Sequence, residues 1–364
     1  MANANRSNLY ESFLQLVRLG IGTSKNVKIS NRIDWVRLKT LADEQGLSAV
    51  ILDALNTDGV NLTDGMPLGL KLEWIGEVLQ DYEQRCELYK KAISSLAGFY
   101  NKHGYRMMVI KGLACNLDWP KPEHRPCGDI DIWQFGQYKE ADMALAEEKK
   151  VTIDSSHHHH TVFYWGSFMV ENHYDFVNVH THKTNKIVEH KLKGLAWDDS
   201  HYVEVFGEKV YLPSPNLHAL FLLRHSMGHF AATEISIKQI LDWGFFVEKH
   251  GKEIDWKWLK SMMEEIGSLD LYNVMNAICV EDLGFSPNMF PSFQFLPSLK
   301  EKVLNEILDP EIPNNKPKNL FKRVAWKIKR WKANEWKHKL VYSESMWSSF
   351  WNGVWGHLLK PASI

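Results

Sequence analysis

Apolar positions recur at helical spacing through residues 7–19 and 35–55, and again through a long run from 69 to 103. His103-Gly104 supplies a glycine stop for that run. The spacing then changes. Residues 105–110 read as a strand, 112–118 as a short helix and 139–149 as another helix. Between them, residues 128–133 (Gly-Asp-Ile-Asp-Ile-Trp) alternate polar and apolar, as a strand with one buried face does. Residues 161–170 and 174–182 predict a hairpin that turns at Glu171-Asn172-His173. Helical spacing returns after Pro213, with Asn216 as candidate cap, and runs to about residue 308. Prolines and asparagines in 311–318 mark a linker. The pattern predicts an α+β fold. A small mixed sheet over 105–212 is flanked by an N-terminal helical region, 1–104, a helical domain, 213–310, and a helical tail, 311–364.

Composition narrows the class. The chain has 364 residues, 45% of them hydrophobic, enough for a sizeable core. A formal net charge of −1 gives no global attraction to nucleic acid. Cys86, Cys115, Cys127 and Cys279 form no C-x-x-C pair, which suits reduced thiols and a cytoplasmic setting. No run of 18 apolar residues is present, so no transmembrane segment is expected. The tail departs from this balance: residues 316–339 hold ten Lys or Arg against Glu335 alone. Phe321, Trp326, Trp331 and Trp336 interleave with the charges, a composition that suits a polyanion or an anionic membrane surface. The competing reading packs these rings, with Trp347, Trp351 and Trp355, onto the body.

The chemistry concentrates in 109–133. Asp129 and Asp131, spaced i, i+2 on a strand, project from one face roughly 6–7 Å apart. Carboxylates so placed suit Mg²⁺ (or Mn²⁺), which binds through oxygen ligands and substrate phosphates. Gly112 lets backbone approach a phosphate, and amides opening the following helix favour an anion. Lys111 and Arg125 are candidate phosphate contacts.

This ordered set, Lys111-Gly112, Arg125 and Asp129-Ile130-Asp131, resembles the nucleotidyltransferase superfamily of polymerase-β-like enzymes. Within it the pattern is similar to the bacterial family of uncharacterised nucleotidyltransferases. The resemblance implies a nucleotidyltransferase-type sheet and transfer of an NMP from an NTP such as ATP to an acceptor that the sequence does not name. The family also places Glu-hydrophobic-His on a neighbouring strand. Val177-Asn178-Val179-His180 is the matching piece on this reading, so Asn178 takes the acid's place and His180 the histidine's. An amide cannot act as a general base, so a nucleotide-binding module without turnover stands as the alternative. The resemblance further implies a histidine-bearing helix, here with His225 and His229, followed by Lys238 and Asp242, of which Lys238 is a candidate nucleotide contact. The run His157–His160, with His173, His180 and His182 downstream, raises a third reading, a zinc hydrolase.

Overall fold

The computed structural model describes residues 2–25, 33–57, 65–197, 200–312, 317–342 and 344. Three helices open the chain: α1 (Ala2–Gly20), α2 (Trp35–Glu44) and α3 (Ser48–Leu55). The helix expected over 35–55 is two, because Gly46 adopts φ +67° and ends the first. The long helical run is continuous. It comprises α4 (Leu68–Glu77), a π-helical stretch (Val78–Gln84) and α5 (Arg85–Lys102), and it stops before Gly104 at φ +77°.

The sheet then forms from β1 (Met108–Val109), β2 (Ile130–Trp133), β3 (His160–Trp165), β4 (Phe168–His173), β5 (Tyr202–Val205) and β6 (Glu208–Tyr211). Its spatial order is β3-β4-β2-β1-β6-β5, mixed parallel and antiparallel, as an α+β fold requires. The one-turn helix α6 (Leu113–Asn116) follows β1, α7 (Tyr138–Lys149) follows β2, and α8 (Lys183–Ala196) precedes β5. The remaining helices are α9 (Pro215–Ala232), α10 (Ile237–His250), α11 (Trp256–Glu265), α12 (Leu269–Ala277), α13 (Pro297–Leu308), α14 (Leu320–Ala333) and α15 (Glu335–Val341).

Three expectations change. The β3–β4 hairpin turns at Gly166-Ser167, with Trp165 paired to Phe168, so Glu171, Asn172 and His173 lie on the strand and not in its turn. A two-residue turn with Gly166 at φ +60° fixes that register. Residues 174–182 form no strand and lead instead into α8. A second hairpin, β5–β6, turns at Phe206-Gly207, both at positive φ as a type I′ turn demands. Finally, Ser214 precedes α9 with Pro215 in the first turn, while the Asn216 side chain accepts from the Asp255 N–H at 2.8 Å.

Each sheet face is buried differently. Ile130, Ile132, Val170 and Phe163 pack under α5 and α7, with Tyr89, Ile93 and Leu145. Met108, Ile110 and Trp133 join the larger core, which gathers helices from both ends of the chain. Burying the two β2 isoleucines stabilises the strand by about 1.5–3 kcal/mol each. That fixes which way the intervening acids point.

Candidate active site

Asp131 lies between Ile130 and Ile132 on β2, so it faces away from the α5 layer. Strand β4 runs parallel to β2 and sets Glu171 opposite Asp131. His173, two residues on, shares that face, and β3 adds His160 opposite His173. Four chemically active side chains therefore emerge from three adjacent strands. His173 Nε2 lies 3.3 Å from Asp131 Oδ1 and 3.5 Å from Glu171 Oε2. Ligand atoms of Asp131, Glu171 and His173 all fall within 4.8 Å of one another. Asp129 stands just before β2. Exposure rises from 4% at the Asp131 side chain to 21% at Glu171 and 34% at Asp129, so the cluster opens to solvent on the Asp129 side.

Lys111 completes it. Its Nζ lies 3.4 Å from Asp131 Oδ2 and 4.0 Å from Asp129 Oδ1. Burial works against the ammonium, yet the two aspartates outweigh that and raise its pKa. Burial likewise opposes charge on Asp131, but Lys111 and His173 hold it well below the usual carboxylate range. Asp129 is raised, by burial first and by Asp131 second. His173 is raised to about 9 against burial, by its bonds to Asp131 and Glu171. Asp131 Oδ2 is buried and accepts no hydrogen bond. Three carboxylates converge on one ammonium and one imidazole, and Asp131 Oδ2 is held by the Lys111 charge without a hydrogen bond. That donor set is hard and oxygen-rich, and it fits Mg²⁺ or Mn²⁺.

Backbone geometry around the cluster depends on one contact. Gly112 adopts φ +56°, and a Cβ there would sit 1.9 Å from the Tyr89 hydroxyl. That hydroxyl donates to the Asp129 carbonyl at 3.0 Å. Tyr89 on α5 therefore fixes the lysine-glycine turn and the first acid together.

A family model described as uncharacterised nucleotidyltransferase matches residues 31–283. The chain belongs to this family. No curated protein and no solved structure matches it. The nucleotidyltransferase match spans the sheet, the acid cluster and α9–α12, so the general transferase assignment applies to the part of the chain that builds the site.

Several residues expected at the nucleotidyltransferase site have other surroundings. Asn178 lies beyond β4, and its side chain accepts from the His180 N–H at 3.0 Å. His180 is exposed, its ring 5.7 Å from that of His158. Neither residue is on the sheet. Glu171-Asn172-His173 occupies the strand position beside β2 that Val177-Asn178-Val179-His180 was expected to fill. A partial signal was present: Gly166-Ser167 follows the apolar, aromatic run 162–165 and offers a two-residue turn. The residue between Glu171 and His173 is polar, which hid the Glu-x-His pattern. Asn172 points to the opposite face, where it donates to Gln134 Oε1 and Asp142 Oδ1, both at 2.8 Å.

Arg125 is 2% exposed. It pairs with Asp242 on α10 through two bonds, 2.7 and 3.0 Å, and donates to Asn116 Oδ1 at 2.8 Å and to the Gly112 carbonyl at 3.4 Å. Its guanidinium is committed to protein partners and braces the glycine turn from behind. Lys238 is partly buried, and burial and then Arg125 lower its pKa to about 8. On α9, burial and then Lys111 push His225 well below its ordinary value, and His229 is lowered mainly by burial. Both feel the Asp131 charge, and their rings lie 4.5 Å apart on α9. The helix α6 spans only four residues, so little helix dipole stands behind the turn.

Proposed function

We propose that this nucleotidyltransferase moves an NMP from an NTP to an acceptor hydroxyl or phosphate in a Mg²⁺-dependent (or Mn²⁺-dependent) reaction. The observation that carries this is the convergence of three carboxylates on Lys111 and His173: Asp131 on β2, Glu171 opposite it on the parallel strand β4, and Asp129 just before β2. Those three residues would hold the dication, which when bound offsets the charge of the triphosphate. Lys111 reaches the phosphate oxygens from the side of Asp131. Gly112 keeps the turn free of a side chain. Glu171 takes the proton of an acceptor hydroxyl at Oε2, and His173 orients both Asp131 and Glu171. Arg125 positions the turn through Gly112 and Asp242, while Lys238 adds positive potential beside it. Substitution of an acid by Asn178 was the ground for a binding module without turnover, and Glu171 supplies the acid that reading lacked.

The test is calorimetric titration of each NTP with Mg²⁺, run on the wild-type chain, Asp131→Ala and Glu171→Gln. Binding by wild type and its loss in Asp131→Ala is the expected result. Equal affinity in all three proteins removes this site from consideration. Pyrophosphate release across a panel of acceptors then separates turnover from binding.

A further inference from the structure

The acid cluster explains Asp131, Glu171 and one side of His173. It leaves the histidines of the β3 entry without a role. His159 and His160 lead into β3, and His160 is the Cα partner of His173 on β4. The rings of His159, His160 and His173 lie 4.3 to 5.6 Å apart, centroid to centroid. His157 stacks on His160 at 4.7 Å. Ligand nitrogens of His159, His160 and His173 fall within 4.8 Å of one another.

The hydrogen-bond pattern gives these rings a direction. His160 is buried, and neither Nδ1 nor Nε2 has a hydrogen-bond partner; the same holds for His159 Nδ1. A neutral imidazole carries one donor and one acceptor, so His160 buries both unsatisfied, at a cost of about 1–3 kcal/mol each. A dication takes one nitrogen from each ring and so satisfies one of the two on His160 together with His159 Nδ1. Glu171 Oε2 stands 3.8 Å from His160 Nδ1 and 3.5 Å from His173 Nε2, so a carboxylate adjoins the rings and complements positive charge.

We propose that His159, His160 and His173 form a site for a transition-metal dication of the Zn²⁺ class, next to the acid cluster and sharing His173 with it. Imidazole selects Zn²⁺, Co²⁺ or Ni²⁺ over Mg²⁺, which takes oxygen ligands. Tetrahedral bonds of about 2.0–2.1 Å hold their nitrogens about 3.3 Å apart, so side-chain rotation of an ångström or two closes the set. Three protein ligands leave one position open, on the side of Glu171. His173 Nε2 faces Asp131 and Glu171 and its Nδ1 lies 3.2 Å from the Asp175 carbonyl, so a metal at this site displaces a proton and one of those bonds, and Zn²⁺ binding is read apart from nucleotide transfer.

The experiment is calorimetry with Zn²⁺ in saturating Mg²⁺, together with the visible absorption of the Co²⁺ form. Wild type is expected to bind one equivalent, with a Co²⁺ spectrum of low coordination number. His159→Gln and His160→Gln each weaken Zn²⁺ by about tenfold or more, while Asp129→Asn and His180→Gln keep it. His160→Cys retains binding and adds a thiolate-to-cobalt charge-transfer band, which tests the ligand even if a glutamine variant misfolds. Zn²⁺ affinity unchanged in both glutamine variants, or lost in Asp129→Asn, overturns the proposal. So does loss of all binding in a His157→Gln/His158→Gln double variant, since the flanking run would then be the ligand.

Discussion

Glu171 and Asn178 sit seven positions apart and separate two accounts of the reaction. If Glu171 takes the proton, Glu171→Gln lowers pyrophosphate release by about 10²-fold or more, while Asn178→Ala stays within about threefold of wild type. Gly112 makes a different kind of demand. Gly112→Ala brings both a positive φ and a collision with the Tyr89 hydroxyl, and is expected to cost about 1–3 kcal/mol in chemical denaturation. Adding Tyr89→Phe relieves the collision, so the double variant recovers part of the loss; no recovery would show that the hydroxyl is not the obstacle. His218 is a third case. It is buried with its pKa lowered to about 4, by burial first, among Asp118, His250, Asp242 and Arg125 and beside Cys115. Its folded value lies below its unfolded one, so between them the unfolded chain holds more protons. Stability from this group is complete above about pH 6.5 and falls by up to about 3 kcal/mol as pH drops to about 4. Urea midpoints of His218→Gln at pH 7 and pH 4.5 should differ less than those of wild type. The shared face of Asp129 and Asp131 was legible because an i, i+2 spacing needs only one strand. Glu171 was not, since its place depends on where a neighbouring hairpin turns, and a Gly-Ser turn moved that point five residues upstream of the expected one.

At the scale of elements, β2 and β4 carry the acid cluster, and α10 braces the Lys111-Gly112 turn through Asp242 and Arg125. The hydrophobic rhythm showed the helices well, including the single run of α4 and α5. It missed α8 and the β5–β6 hairpin, although α8 carries an amphipathic pattern and Tyr202–Val205 and Glu208–Tyr211 flank a Phe-Gly turn. It also placed Arg125 at a phosphate, because sequence shows a charge but not the Asp242 partner brought in by α10. Arg125→Ala leaves Asp242 buried without its cation and is expected to destabilise by about 3–5 kcal/mol, a loss that a fluorescence melt would register. The tail helix α14 presents two surfaces. Trp326 and Arg330 face inward, and the opposite face carries Phe321, Val324 and Ile328, 84%, 49% and 53% exposed. Lys322, Lys327 and Lys329 flank that apolar row, and the helix holds no acid. The expected partner is an anionic bilayer surface, approached in plane, because the apolar row and its flanking lysines lie along one side of the helix. Among the described residues no helix is long and apolar enough to cross a membrane. Sedimentation with phosphatidylserine vesicles at low salt should carry the chain down, and Phe321→Asp should release it. Equal recovery with neutral vesicles would remove the charge argument. Trp336 instead packs on Phe230, as the competing reading of the tail anticipated for it; Trp347, Trp351 and Trp355 lie outside the described residues.

Across the whole molecule, the family match and the physical core have different limits. The match covers 31–283, yet Phe13, Leu16 and Val17 before it and Val303, Ile307 and Val341 after it are buried in the same cluster. Polar ties cross those limits too: Gln45 donates to the Ile307 carbonyl at 3.0 Å, and Ser268 to the Val341 carbonyl at 2.7 Å. Losing several such side chains at about 2–5 kcal/mol each exceeds a typical net stability of about 5–15 kcal/mol. A fragment of residues 31–283 is expected to lack a cooperative melt, and a sharp transition near that of the full chain would refute this.

The parallel pairing of β2 with β4 joins Asp131 to Glu171 across 40 positions of chain. In an unfolded molecule those carboxylates are strangers, and no local segment can stand in for their convergence. Any ligand that needs both must therefore select the native ensemble, and at a concentration 100 times its Kd it shifts the unfolding equilibrium by about 2.7 kcal/mol. Heat resistance becomes a detector. A library of nucleotides and small acceptors, screened by melting temperature alone, can identify what the protein prefers to hold before any product has been recognised.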